Sequence, residues 1–420
     1  MKKTYEYKGV KHMKKVYLGF LLPFSLYSQS LNELIQDATK NRLIDSSQKS
    51  IESIQKEYES VKSSYLPKLT VGATYSNTNE ETAAVADSSI TSYANINYTL
   101  YDGGAKDAKY KLYESSIKSG DENLKSLKNQ IALDIINYYF NYQSLISQKE
   151  AKLKEIETLE AQRLRLERFL EAGTTTKDEV DKIISRVQIA NVILHEIELN
   201  IQTILHNLEY ITSKKVTISS GSTIKDFTNN TQEIRNDIKA LEYDIQTIQQ
   251  QARVTQSANY PTISLDNTYS DYDQSYDNKA YDNGLKDQNI FKVNLTWKLF
   301  DFGATKNSYE SVYKKYQAQK SRYEYEKNKS EVDLKLAFKS YDIAKLKISS
   351  AQSGLKAANS TYEMIEKKYQ NGLVDNVAYL EALSEKYNAQ SALETALYDL
   401  EIKKANIIYH SGKNLQEYIK

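Results

Sequence analysis

The sequence predicts a mainly α-helical chain with four membrane strands, which three copies pool into one twelve-stranded β-barrel. Three observations lead there: few helix breakers in 420 residues, short stretches of strict alternation, and an internal duplication. Glycine occurs 13 times and proline three times, against 35 tyrosines, which favours long helices over a compact α/β enzyme. Lys+Arg 56 against Asp+Glu 55 leaves a net charge of +1, which argues against a nucleic-acid surface. With no cysteine, disulfide scaffolds, thiolate metal sites, cysteine nucleophiles and a lipidated cysteine are excluded.

Taken in order, the chain opens on an address. Met13-Lys14-Lys15 precedes the apolar run Val16 to Leu26, and Ser28-Gln29-Ser30 follows it. These are the charged, greasy and cleavable zones of a secretory signal over residues 1–30, weighed against a buried core helix. As a helix the run spans only about 16 Å, too little to cross a bilayer. Residues 1–12 precede the second Met, and Met13 is a candidate true start that would leave 1–12 untranslated. Since no later stretch is apolar enough for a membrane helix, an exported chain that spans a membrane must use strands.

The remainder divides into a first repeat (31–213), a linker (214–230), a second repeat (231–412) and a tail (413–420). Pro67 and Pro261 each end a helical pattern and open an alternating one, residues 31–66 reading as a single helix before the first. Leu100-Tyr101-Asp102-Gly103-Gly104-Ala105 matches Leu299-Phe300-Asp301-Phe302-Gly303-Ala304. The same offset of 199 residues separates Asp102 from Asp301 and Gly173 from Gly372. Two proline-free segments of equal length indicate two copies of one structural unit.

Between each proline and its Asp-x-Gly lies a hairpin. Phe291, Val293, Leu295, Trp297 and Leu299 alternate with polar residues, as do Leu69, Val71, Ala73 and Tyr75, and Ile96, Tyr98 and Leu100; Ile263 and Leu265 do so less strongly. The rival reading is a soluble sheet packed on a core. In lipid, four strands leave two open edges, costing tens of kcal/mol at several kcal/mol per unpaired group and roughly five groups per edge. Closure through three chains removes both edges. Tyr269 to Asn289 is expected to be a solvated loop; its Asp271, Asp273 and Asp277 lack the glycine and glutamate of a calcium loop.

Ile183, Val187, Ala190, Leu194, Ile197, Ile201, Ile204, Leu208 and Ile211 step by four and three, a heptad seam. Ile131, Ile135, Tyr138, Tyr142 and Leu145 continue it on the preceding helix. A 71-residue helix from Asp102 to Gly173 reaches about 106 Å, and such seams suit a rod or a wall equally. Gly173 and Gly372 are expected to be the turns where the helices reverse.

From 31 to about 412 the chain resembles the outer membrane efflux protein family, the TolC-type exit ducts. The marks are Leu31-Asn32-Glu33-Leu34-Ile35 through Asn41, Tyr65-Leu66-Pro67, the turns at Asp102-Gly103-Gly104 and Asp301-Phe302-Gly303, and the tips Leu170–Val180 and Tyr369–Leu380. The helix–strand junctions are thus Pro67, Pro261, Asp102, Gly104, Asp301 and Gly303. The resemblance implies a homotrimer in outer-membrane lipid, its β-barrel continued through the periplasm by an α-helical coiled-coil barrel. It implies a periplasmic adaptor, an inner-membrane transporter of RND or ABC type, and no cofactor. It places adaptor docking at Leu170, Gly173, Thr174, Tyr369, Gly372 and Leu373, and pore constriction at Glu179 and Glu381. Six residues after Gly372 stands Ala378 where an acid would match Glu179, and Thr175 and Val374 replace the arginine of some members.

No catalytic set emerges. His195-Glu196 lacks a second histidine at zinc spacing, and His195 and His206 share a helix face without further ligands. The competing function is an exported coiled-coil filament or adhesin, which would need neither a greasy sheet nor an adaptor.

Overall fold

The computed structural model describes residues 28–227, 233–281 and 284–420. The signal reading over 1–30 falls almost wholly outside the described residues, as do 228–230 of the linker. The order is α1 (Leu31–Ala38), α2 (Arg42–Ser64), β1 (Lys68–Asn77), β2 (Ser88–Asp102), α3 (Ala105–Glu171), α4 (Lys177–Thr212), α5 (Asn236–Gln256), β3 (Thr262–Ser275), β4 (Asp287–Thr296), α6 (Ala304–Gln370) and α7 (Asn376–His410).

Residues 31–66 form two helices rather than one. Ser30 and Glu33 close a capping box on α1. Asn41 then starts α2 afresh: its Oδ1 accepts the Leu43 N–H at 2.7 Å and its Nδ2 donates to the Ile211 carbonyl at 2.7 Å. The break turns Leu31, Leu34, Ile35 and Ala38 into the main core.

The strands form one antiparallel sheet in the order β1-β2-β3-β4. Its two hairpins share one register. Lys68 pairs with Asn97 and Asn77 with Ser88; Thr262 pairs with Thr296 and Asp271 with Asp287. Every pair of the second ladder is a pair of the first moved by 194 residues on one strand and 199 on the other. The alternation through Trp297 and Leu299 extends past the strand, which stops at Thr296 because β3 begins opposite it, at Thr262. The loop expected over 269–289 is shorter, because β3 runs on to Ser275 against β2 and β4 starts at Asp287. Asp271 and Asp273 therefore sit on a strand, while Asp277 and Asn278 give their N–H groups to Glu81 of the first hairpin loop at 2.8 and 2.7 Å.

α3 and α6 are each 67 residues long, shorter than the 71 expected because the flanking turns take the rest. α4 buries its expected seam from Ile183 to Leu208, but the next inward residue is Thr212 and Ile211 is only half-buried. On α3, Ile131 and Ile135 are buried as expected, whereas Tyr138, Tyr142 and Leu145 are only partly so. Ile136, Tyr139 and Phe140 lie inside instead, because the core here gathers residues of α1, α4, α7 and the linker around α3. Tyr139 donates its hydroxyl to the Ser219 carbonyl at 2.8 Å. The linker pairs with both flanks of the repeats: the Gln29 N–H reaches the Thr217 carbonyl at 2.7 Å, and the Lys225 N–H reaches that of Tyr418 at 2.8 Å. The core thus sits at mid-length on the helices, with the sheet at one end and two helix reversals at the other.

Candidate functional site

Each reversal is built by its glycine. Gly173 has φ +72° and Gly372 +71°, the left-handed conformation that ends a helix. The Gly173 N–H donates to the Leu170 carbonyl at 3.0 Å and that of Thr174 to Phe169 at 2.8 Å; Gly372 to Tyr369 and Leu373 to Lys368 repeat the pattern at 3.0 and 2.9 Å. Both are Schellman closures, so the two tips are geometric twins. Leu170 and Leu373 are exposed there, Leu373 at 72 %. Tyr369 turns inward: it stacks on Tyr379 with ring centroids 4.9 Å apart, and Gln162 donates to its hydroxyl. Burial raises the pKa of its phenol. Gln162 also reaches Asn376 Oδ1 at 3.1 Å, tying the first repeat's tip to the second's. Gln162, Asn376 and Tyr379 carry no motif that singles them out in the sequence.

Glu179, in the first turn of α4, takes an ion pair from Lys182 at 3.0 Å, and its second oxygen is buried with no donor among the described residues. Glu381 is exposed on α7.

At the other end, Pro67 and Pro261 immediately precede β1 and β3. Gly104 (φ +87°) and Gly303 (φ +84°) start α3 and α6. Asp301 caps α6, accepting the Gly303 N–H at 3.1 Å and the Thr305 N–H at 2.9 Å. Its counterpart Asp102 accepts from Tyr65, whose phenol is held neutral to high pH by burial and this bond.

The sheet has one polar and one greasy face. Lys68, Asn97, Asp266 and Lys292 share a ladder row, as do Thr70, Asn95 and Thr268, whose row ends on Ile290. On the other face Leu69, Val71, Tyr75, Ile90, Ile96, Phe291, Val293 and Leu295 are exposed, an apolar band crossed by Asn267 and Asn289 that gives way to Asp271, Asp273 and Asp287 toward the loops. Trp297, Phe300 and Phe302 are exposed below them, toward the helices. Greasy outside, polar inside and aromatic at the rim is the pattern of a membrane strand.

The helices show a matching feature. Opposite its buried seam, α4 bears Ile189, Val192, Leu199 and Tyr210, all exposed. α6 buries Ser330, Leu334, Ala337 and Ala344, yet exposes Val332, Leu336, Ile343 and Leu346. At about 100° per residue the two lines on each helix lie on roughly opposite sides. A rod needs one contact line per helix; a wall needs two. This second line is readable by periodicity, once the first is recognised as only half of the pattern.

Among the described residues no group of three or more His, Asp or Glu could hold a metal ion, and no helix is long and apolar enough to cross a membrane.

The sequence profile described as "Outer membrane efflux protein" matches residues 34–212 and again 228–412. No curated protein matches the chain. Among solved structures, the outer membrane protein VceC from Vibrio cholerae superposes with a TM-score of 0.80 at 17% identity, over 92% of this chain and 96% of its own. The Campylobacter jejuni CmeC outer membrane channel gives 0.82 at 17% identity, over 92% and 86%. The open-state Neisseria gonorrhoeae MtrE outer membrane channel gives 0.77 at 15% identity, over 92% and 89%.

Proposed function

Because the chain belongs to the outer membrane efflux protein family, we propose that it is the exit duct of a tripartite efflux or type I secretion assembly. The protein is a passive channel of the outer membrane, not an enzyme, with its helices on the periplasmic side. Three copies close the barrel. Solutes arrive from an inner-membrane transporter of RND or ABC type through a periplasmic adaptor, and the energy for transport is spent by that transporter.

The observation that carries this reading is the sheet: its outer face is greasy and both its edges, β1 and β4, are unpaired. A lone sheet cannot sit in hydrocarbon at that cost, whereas three chains supply twelve strands with no edge. The paired contact lines on α4 and α6 support a helical wall below it. The exposed Leu170 and Leu373, beside the Gly173 and Gly372 turns, supply an apolar docking surface for the adaptor, with Thr174 alongside and Tyr369 as its half-buried prop. Glu179 and Glu381 lie beyond the turns and are the candidates for an acidic constriction.

Fractionation with the outer membrane and a trimer mass in detergent are the expected results. Material that stays monomeric and soluble without detergent would remove the duct and restore the filament reading.

A further inference from the structure

The internal duplication makes one seam of the assembled barrel visible inside a single chain. Within the chain, repeat one meets repeat two along β2 against β3. The bare edges β4 and β1 are the counterparts of β2 and β3, because the hairpins superimpose with fixed offsets of 199 and 194 residues. Resting on the trimeric-duct reading, we propose that β4 pairs with β1 of the partner subunit in the register of β2 and β3, and that Phe302 wedges the base of this seam.

The β2–β3 ladder pairs Ala94 with Tyr269, Ile96 with Asn267, Tyr98 with Leu265, Tyr101 with Ile263 and Asp102 with Thr262. Moved by the two offsets, it sets Val293 opposite the partner's Tyr75, Leu295 opposite the partner's Ala73, and Trp297 opposite the partner's Val71. Phe300 faces the partner's Leu69 and Asp301 the partner's Lys68. Over these pairs apolar meets apolar on the greasy face and the one charged pair is of opposite sign, while one step nearer the loops the same register sets Phe291 opposite the partner's Asn77. A slip of one residue would set the apolar set against the polar row. The register also accounts for residues 297–301. Their counterparts 98–102 are strand only because β3 lies opposite; within one chain 297–301 have no strand opposite, and the partner's β1 supplies it.

Besides Phe300 for Tyr101, the turn after β4 departs from the turn after β2 at Phe302, which stands where the first repeat has Gly103. Gly103 has φ +71°, and a Cβ there would run into the Ser257 carbonyl and come within 3.0 Å of Tyr260 Cβ. Phe302 stands in its place with φ 53° and 90 % exposure. The partner's Ser63, counterpart of Ser257, therefore cannot approach as closely. The ring at the membrane boundary has three tight junctions and three wedged ones, with the Phe300 and Phe302 rings, 4.6 Å apart, filling the wider gap.

The chain has no cysteine, so introduced thiols report on the seam alone. Leu295→Cys with Ala73→Cys, and separately Asn294→Cys with Thr74→Cys, are oxidised in outer-membrane vesicles. Successive antiparallel pairs alternate between narrow and wide, so at least one of the two should link. The expected result is a covalent trimer on a non-reducing gel, absent from every single variant. If Leu295→Cys links instead to Tyr75→Cys in an intact trimer, the register is overturned and the duct stands. If no trimer forms in detergent even for the cysteine-free protein, the duct reading itself falls. For the wedge, Phe302→Gly should let Ser63→Cys and Asp301→Cys link at least tenfold faster than with Phe302 in place; an unchanged rate overturns it.

Discussion

At the residue scale, the positive-φ glycines are not equivalent. At Gly173 and Gly372 a Cβ would meet nothing, so a substitution suffers only the backbone strain of a left-handed residue, about 1–2 kcal/mol. Gly173→Ala and Gly372→Ala should loosen the tips by roughly that amount, read as faster amide exchange over the two reversals with unchanged trimer mass. Bulky residues there should impair efflux while trimers remain, and unchanged drug sensitivity in such a strain would remove the docking role. Gly103→Ala adds a collision with the Ser257 backbone to the same strain, whereas Gly104→Ala meets open space. The first should lower trimer yield several-fold and the second much less, as measured by detergent extraction. Buried atoms are harder to foresee than turns. Gln162 and Asn376 join the two tips through contacts more than 200 residues apart in sequence, and no local pattern announces such a pair.

At the scale of elements, the exposed apolar lines on α4 and α6 are the most consequential surface. Burying an exposed leucine at the seam contributes about 1.5–3 kcal/mol. Leu336→Glu and Leu199→Glu should each shift the population from trimer to monomer at limiting concentration while the helix content of each chain holds; equal trimer yield would mean that these lines face something else. The latch between α1 and the linker is ionic. Lys214 and Gln29 bond Asp37 at 2.9 and 2.7 Å and hold its pKa below the ordinary carboxylate value. A lowered folded-state pKa stabilises above the unfolded value, near 3.9, and is lost as pH falls below it. Amide exchange over 31–38 should therefore rise below about pH 4, and Asp37→Asn should abolish that dependence. Strands, junctions and reversals were legible because proline, glycine and period-two alternation act locally. The break between α1 and α2 was hidden because Thr39-Lys40-Asn41 contains neither glycine nor proline, and Asn41 breaks the helix by reaching Ile211. The burial of Tyr139 and Phe140 is not legible in the heptad, because a helix enclosed on several sides buries residues that a single seam does not include.

For the whole molecule, duplication does most of the organising. One helix–hairpin–helix plan, written twice, yields twin tips, matched hairpins and two alternating kinds of seam. The match over both repeats and the superposition on outer membrane channels at 15–17% identity show how little of this architecture depends on particular side chains. It depends on lengths and periods. α3 and α6 are each 67 residues, a column of about 100 Å. Unequal columns would leave the mouth notched, with alternate tips out of an adaptor's reach. Reach can therefore change only in paired steps: excising one heptad from α3 and α4 should cripple transport, and excising the matching heptad from α6 and α7 as well should restore a level rim in a shorter tube.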